Sequence, residues 1–355
     1  MDIKDILKAA VKYGASDIHL VPGRRPYLRV GGQMRGLSTD ALDGEAARKI
    51  IFGMLNEELI EKFKTEGELD TSLKAEGIGR FRLNVLTQKD GVGAVLRVIS
   101  SGIPSPEDIG LDEAIVNLKN TSRGMILVTG PTGSGKSTTL ACLLNVINKE
   151  IKKHIITIED PIEYVYPRGG CVITQREVGT HTSSFSEALK RAMRQDPDIM
   201  LVGEMRDLET ISSALTIAET GHLVFATLHT TDAAQTVDRI IDVFPPFQQQ
   251  QVRTQLSGVL KAVICQQLLP SADGSGCVAA REVMVVTPAI GNLIREGKTH
   301  QIYNAIDTGG RLGMRSLDRD MMRLVEKGLI TKESAMSRAS NPKLFEGSGV
   351  DRPCL

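Results

Sequence analysis

The sequence predicts an α/β protein of two domains, the larger folding a parallel sheet around a phosphate-binding loop. Three observations carry that prediction. The chain has 355 residues, beyond the roughly 250–300 at which a single hydrophobic core stops growing. From about residue 111, the short apolar runs "MILVTG", "HIITIED", "DIMLVGE" and "HLVFATLH" alternate with helical segments, the pattern of parallel strands with helices on both faces. The stretch "GPTGSGKST", Gly130 to Thr138, follows the strand "MILVT" and opens the helix "STTLACLLNVINKE", the context that a phosphate loop requires.

Composition narrows the class. Hydrophobic residues at 41% and charged ones at 24% are ordinary for a globular chain and leave little room for disorder. Lys plus Arg and Asp plus Glu balance at 43 each, so no broad field draws nucleic acid or anionic lipid, although a local basic groove survives such averaging. The five cysteines form no CxxC pair and no zinc-like spacing, which suits a reducing cytosol. Cys354 is second from the end, so the tail is not a prenylation box. Charged residues interrupt "MDIKDILKAAVKYGAS", and Ile3, Ile6, Leu7, Ala10 and Val11 fall at helical spacing. The N-terminus reads as an amphipathic helix packed on its own domain. No apolar run approaches the roughly 20 residues needed to cross a bilayer. The expectation is a cytoplasmic protein whose membrane contact is peripheral.

The elements follow in order. Residues 1–100 read as a mixed α+β domain. Its first helix precedes "SDIHLV" and "RPYLRVGGQMR", two strands about the turn "PGRRP". One helix then runs through "GEAARKIIFGMLNEELIEKF". Two more strands in "GRFRLNVLTQKDGVGAVLRVIS" join at the Asp90–Gly91 turn signal, with Phe81, Leu83 and Val85 on one face and Arg80, Arg82 and Asn84 on the other. "SSGIPSPEDIG" places a linker over 101–111. Residues 112–355 form the α/β domain, with a polar helical segment from about 288 and a loose tail from about Asn341.

The loop from Gly130 through Pro131, Thr132, Gly133, Ser134, Gly135, Lys136, Ser137 and Thr138 fits G-x-x-x-x-G-K-S/T. Glycines let backbone N–H groups turn inward around phosphate oxygens, and the helix N-terminus adds positive potential. Lys136 would reach the β- and γ-phosphates of ATP, and the Ser137 hydroxyl would ligand Mg²⁺. All parallel strands deliver their carboxyl ends to one edge, where ligands bind. Glu159, Asp160 and Glu163 sit at one such end, Glu204 at another, and His222 and His229 flank a third strand. Taken singly the acids read as a solvated loop and the histidines as satisfied core groups. Beside a phosphate loop, convergence on one nucleotide explains them better. Glu204 closes an apolar strand as a carboxylate reaching the Mg²⁺ shell does. A general base must sit beside the attacking water and outside the metal shell; Glu163 is the free carboxylate for it.

These residues carry a resemblance. "MRQDPDIMLVGEMRD" resembles the signature of the secretion and type IV pilus ATPases, "IEDPIEY" their Asp box and "GHLVFATLHTTDA" their His box. "SDIHL", "RFRLN" and "FPPFQQQQVRTQLSGVLKAVICQQLLP" extend the likeness over nearly the whole chain. Within that superfamily the chain resembles the retraction branch, the PilT family. Assembly ATPases carry two CxxC pairs and an extra N-terminal domain, and neither is seen here. "TPAIGNLIREGKTHQIYNAI" resembles the retraction family's motif AIRNLIRE, with Gly291 in place of its arginine.

The resemblance implies a PAS-like N-terminal domain, a RecA-like ATPase domain and a ring-shaped homohexamer. It implies arginines of the N-terminal domain completing the ATP site, which matches Arg82 and Arg97; a planar, permanently charged guanidinium suits that task. Without the resemblance, Arg82 reads as a solvated strand face. His229 would sense the γ-phosphate, and His222 is open between that and a structural role. The function implied is a motor that withdraws pilin from a type IV pilus through an inner-membrane platform protein. The alternatives are an accessory or assembly ATPase of a related machine, a RecA-like DNA-handling protein, and a nucleotide sensor without turnover. Balanced charge, no Trp and 4% aromatics count against single-strand binding, which wants basic grooves with stacking platforms. The set Lys136, Ser137, Glu163 and Glu204 counts against a sensor.

Overall fold

Thirteen strands form two separate sheets among the described residues, 2–99 and 102–345, of the computed structural model. The chain divides into two units, one comprising Met1–Gly102 and Pro161–Val165, the other Ile103–Asp160 and Tyr166–Leu355.

In the first unit, α1 (Ile3–Lys12) is capped by Asp2, whose carboxylate accepts the Lys4 N–H, and buries Ile6, Leu7 and Ala10. The other elements are β1 (Asp17–Leu20), β2 (Tyr27–Val30), β3 (Gln33–Gly36), α2 (Gly44–Phe52), α3 (Glu57–Glu66), β4 (Glu68–Ala75), β5 (Gly79–Gln88) and β6 (Gly91–Ile99). The sheet order is β3-β2-β1-β6-β5-β4, antiparallel throughout. Phe81, Leu83 and Val85 are fully buried against Ile18, Leu20 and Leu96.

Three local readings of this unit are corrected. "RPYLRVGGQMR" is a hairpin, because Gly31 and Gly32 take φ of +57° and +78° and turn β2 into β3. The expected single helix over 44–63 breaks in two: Gly53 weakens it, and the Asn56 side chain accepts the Leu59 N–H to start α3. β4 was not read, because "ELDTSLKA" is a largely polar edge strand with little apolar signal.

The second unit begins with α4 (Glu113–Val116), β7 (Gly124–Thr129), α5 (Lys136–Glu150), β8 (His154–Glu159), β9 (Val172–Glu177) and α6 (Phe185–Ala192). It continues through β10 (Ile199–Val202), α7 (Leu208–Glu219), β11 (Leu223–Leu228), α8 (Ala233–Asp242), α9 (Pro246–Val259), β12 (Leu260–Pro270) and β13 (Cys277–Val285). It ends with α10 (Pro288–Arg295), α11 (Ile302–Thr308), α12 (Leu317–Glu326) and α13 (Lys332–Met336). The sheet order is β13-β12-β7-β11-β10-β8-β9. Six strands are parallel, and β13 pairs antiparallel with β12. The expected parallel sheet is therefore a mixed one. β12 went unread because it continues from α9 without a turn residue, and β9 because its sequence "VITQRE" is polar. The central strands are buried on both faces, so alternate residues serve two cores. Met125 and Leu127 face one with α7, α8 and α9; Ile126 and Val128 face the other with α5.

Of the predicted loose tail, 341–345 is anchored. Asp318 accepts the Ser340 and Asn341 N–H groups, and Phe345 is fully buried. Glu346 onward, with Cys354, lies outside the described residues, as do Ser100 and Ser101 of the predicted linker.

A buried charge cluster fixes the start of this unit to its end. Asp320, fully buried on α12, accepts the Arg281 backbone N–H at 2.8 Å and pairs with Arg323 at 2.8 Å and Arg315 at 2.9 Å. Arg315 also pairs with Asp112. The Arg281 guanidinium donates to the carbonyls of Ile109 and Gly110 at 2.8 and 3.0 Å. Burial lowers the Arg281 pKa to about 10 despite Asp320 nearby. Breaking such a cluster by removing its anion leaves cations uncompensated. Asp320→Leu is expected to destabilise this unit by about 3–5 kcal/mol, read as the shift in a denaturant midpoint; a shift under about 1 kcal/mol would show the cluster to be dispensable.

Candidate nucleotide site

The carboxyl ends of β7, β8, β10, β11 and β12 meet at one edge of the larger sheet. There β7 runs into the loop predicted to hold phosphate. Gly130, at φ +143°, lies so close to β12 that a Cβ would stand 2.2 Å from the Gln266 carbonyl oxygen. Gly133 and Gly135 take φ of +80° and +84°, and Gly135 opens α5 with no side-chain cap. The start of α5 therefore offers a helix N-terminus, which favours an anion. The Ser134 hydroxyl is buried without a hydrogen-bond partner. Lys136 Nζ donates to the carbonyls of Gly130 and Pro131 at 2.8 and 3.0 Å, arched over the loop. A helix start without a side-chain cap, an orphaned buried hydroxyl and a cation over a glycine cradle fit a polyphosphate. Ser137 and Thr138 follow Lys136 in the first turn of α5.

Beneath the loop, Gln266 is buried. Its amide nitrogen donates to the Ser134 carbonyl and its amide oxygen accepts the Thr139 hydroxyl at 2.9 Å. Gln266 thus ties loop and helix to β12. Gln266 is not among the residues that the sequence predicts for the site; its trace there is the Gln pair inside "LKAVICQQLLP".

β10 ends at Val202, and Gly203 donates to the Ile158 carbonyl of β8 at 2.7 Å. A Cβ on Gly203 would press on Ile158 O and Glu159 Cα at 3.1 and 3.2 Å. The Met205 N–H bonds the Thr227 carbonyl of β11, so Glu204 is held between two strands. Its Oε1 accepts from His229 Nε2 at 2.6 Å and from Arg206 Nε. Burial raises the Glu204 pKa, but the Arg206 hydrogen bond and the charge of His229 outweigh it and hold the carboxyl below its ordinary range. A cleft of about 510 Å³ brings Thr132 of the loop together with Glu204, Arg206, His229, Thr230 and Arg239. Arg206 and Arg239 were not singled out in the sequence; only their place after β10 and on α8 puts them here.

The remaining predicted residues fall elsewhere. His222 lies at the opposite end of β11 from His229, where Nδ1 bonds Thr220 and the Ile217 carbonyl at the end of α7. That is a structural position. Glu159 is buried and accepts the Thr157 hydroxyl at 2.6 Å, while Asp160 and Glu163 are exposed, Glu163 in a segment belonging to the first unit. Arg82 and Arg97 are direct cross-strand partners of β5 and β6, on one face. Like charges so placed repel; Asp70 lies 3.7 Å from Arg82, and Asp17 accepts from Arg97 at 2.9 Å. Gly291, on α10, is buried, and a Cβ there would stand 3.3 Å from the Ser257 carbonyl of α9.

An α/β sheet with a glycine-rich loop cradling the start of α5, and a strand-end carboxylate beside it, defines a P-loop nucleotide-binding fold of the RecA-like kind. The chain belongs to the type II/IV secretion system protein family, whose sequence profile matches residues 1–313. It is 50% identical over 345 residues to the type IV pilus retractation ATPase PilT of Pseudomonas aeruginosa, covering 97% of this chain and 100% of that one. It is 47% identical over 316 residues to the twitching motility protein of Neisseria gonorrhoeae, covering 89% and 84%. Among solved structures, the pilus retraction motor PilT with bound ADP superposes with a TM-score of 0.92 at 45% identity, covering 98% and 99%.

The Gln266 contacts generate a prediction. Gln266→Leu leaves the Ser134 carbonyl and Thr139 hydroxyl without their buried partner, a loss on the order of 1–3 kcal/mol. The dissociation constant for ADP is expected to rise by roughly ten-fold or more; unchanged ADP affinity would show that the loop holds its shape without this strap.

Proposed function

We propose that this chain is an ATP-hydrolysing motor that works as a homohexamer and powers retraction of type IV pili. The observation carrying the reading is the single cleft that joins Thr132 of the phosphate loop to the Glu204–His229 pair. A nucleotide held by the loop places its terminal phosphate toward strand-end acid–base groups, as hydrolysis requires. The similarity to pilus retraction ATPases over nearly the full length supports the filament-retracting task. A cytoplasmic site of action at an inner-membrane platform protein fits a motor of this kind, and no described helix is long and apolar enough to cross a membrane.

The residues divide the labour by position. The N–H groups from Gly133 to Thr138 bind phosphate oxygens, and Lys136, released from its carbonyls, neutralises them. Bound Mg²⁺ would supply charge neutralisation between the phosphates, with Ser137 and, through water, Glu204 holding it. His229 orients the Glu204 carboxylate and reports on the γ-phosphate. Glu163 serves as the base, and Arg82 and Arg97, supplied by a neighbouring subunit, would stabilise developing charge.

Two experiments test this. In cells lacking the gene, surplus pili that never shorten are expected. Loss of pili instead would indicate an assembly motor, and normal pili an accessory one, a reading that Gly291 in the retraction motif keeps open.

The second separates the two carboxylates by ATPase rate against Mg²⁺ concentration. Glu163→Gln is expected to lose roughly 10²–10⁴-fold in turnover with Mg-ATP affinity intact. Glu204→Gln is expected to lose turnover in a way that raised Mg²⁺ partly restores. Near-normal turnover for Glu163→Gln, with Glu204→Gln dead at every Mg²⁺ concentration, would exchange the two roles.

A further inference from the structure

One buried carboxylate near the site has no part in the roles above. Glu282 lies on β13 and is 3% exposed. Sheet register sets it opposite Cys265 of β12, which pairs with Thr129 of β7, which pairs with Leu228 of β11. The row therefore runs beneath both the start of the phosphate loop and the residue before His229. Glu282 Oε1 accepts the N–H of Ala233, the first residue of α8, at 2.8 Å. The carboxylate also accepts the N–H of Leu317, the first residue of α12, whose N-cap Ser316 makes no side-chain cap. A single side chain thus serves the leading amides of two helices: it adds to the cap of α8, where the Asp232 carboxylate accepts the Gln235 N–H at 2.8 Å, and stands in for the side-chain cap that α12 lacks.

The helix held this way bears directly on the cleft. α8 carries Arg239, and Thr236 in its first turn bonds the Thr230 hydroxyl at 2.6 Å and the Asp232 carbonyl at 2.7 Å. The segment from His229 to Asp232 is fixed at one end by buried Leu228 and at the other by this start of α8. His229 itself is well exposed, and its hydrogen bond to Glu204 needs the loop to hold its place.

We propose that Glu282 is a positioning residue for turnover: by holding the start of α8 it sets the loop that aims His229 at Glu204. The proposal rests on His229 acting in hydrolysis, as read above.

The surroundings of Glu282 decide which substitution can stand in for it. Burial, with Asp232 and Asp307 adding repulsion, raises its pKa to about 7, against the pull of the Ala233 and Leu317 amides. Cys265 on β12 and Tyr303 on α11 face the same space, and burial also pushes both of their pKa values up. Near neutral pH Glu282 passes between carboxyl and carboxylate, and each form presents an oxygen to the amides. Glutamine presents one too; leucine does not.

The test is a double-mutant cycle in the full-length protein, with turnover counted per ADP-binding site so that misfolded molecules drop out. Glu282→Leu is expected to lower turnover per site about ten-fold while changing ADP affinity less than two-fold, and Glu282→Gln to restore it to within two-fold of the parent. In a His229→Ala background, Glu282→Leu is expected to cost nothing further. A full ten-fold loss in that background would overturn the proposal, since Glu282 would then act by another route. Unchanged turnover per site for Glu282→Leu would also overturn it, by leaving a purely structural role. Normal turnover for His229→Ala alone would remove the histidine reading and the proposal with it. That last outcome is told from the others because it arises without touching Glu282.

Discussion

The close approach of β7 to β12 is the contact on which the larger unit's chemistry depends. At the start of β7 a Cβ on Gly124 would fall 2.5 Å from the Val259 carbonyl, and at its exit a Cβ on Gly130 would fall 2.2 Å from the Gln266 carbonyl. Both ends of the strand therefore need glycine, for space and for their positive φ. Drawn in this tightly, β7 delivers its loop onto Gln266, which ties it through Ser134 and Thr139. Loop and helix start are thus held by contacts within the chain itself, which lowers the ordering cost of binding.

The site handles buried charge by sharing it. Glu204 is less than a quarter exposed, yet its carboxyl stays ionised to lower pH than usual because Arg206 and His229 both donate to one oxygen. Sign follows from the direction of the shift: this pairing contributes stability above the ordinary carboxyl range and loses it as pH falls through the lowered value. Glu282 shows the opposite balance. Its two amide donors do not offset burial and neighbouring carboxylates, so its contribution falls as pH rises through about 7. Two carboxylates of the same unit thus respond oppositely to pH.

Much of this was legible in the residues. The phosphate loop, four of the seven strands of its sheet and Glu204 stand out because fully buried strands read as unbroken apolar runs and glycine spacing marks the loop. What stayed hidden depended on pairing partners far along the chain. β9 is polar because its strand lies at an edge. β12 is masked by running straight out of α9, and with it went Gln266, whose role exists only because β7 lies alongside. His222 and His229 look equivalent in sequence, each adjoining the same apolar strand, yet they sit at opposite ends of it. The break at Gly53 and the cap at Asn56 were visible as residue types, but the helical periodicity on both sides outweighed them.

The join between α9 and β12 carries a mechanical consequence. Val259 is the last helical residue and Leu260 the first of the strand, and the Leu260 N–H still closes the helix on Leu256. No loop residue lies between them, and the pairing of β12 with β7 shifts register between Leu260 and Ala262. α9 in turn lies against α10, where the buried Gly291 meets the Ser257 carbonyl and Gln250 bonds the Arg295 carbonyl. α10, α9 and β12 are thus joined in series, first by packing and then by an unbroken passage from helix to strand, and the strand that begins there carries Gln266 beneath the phosphate loop.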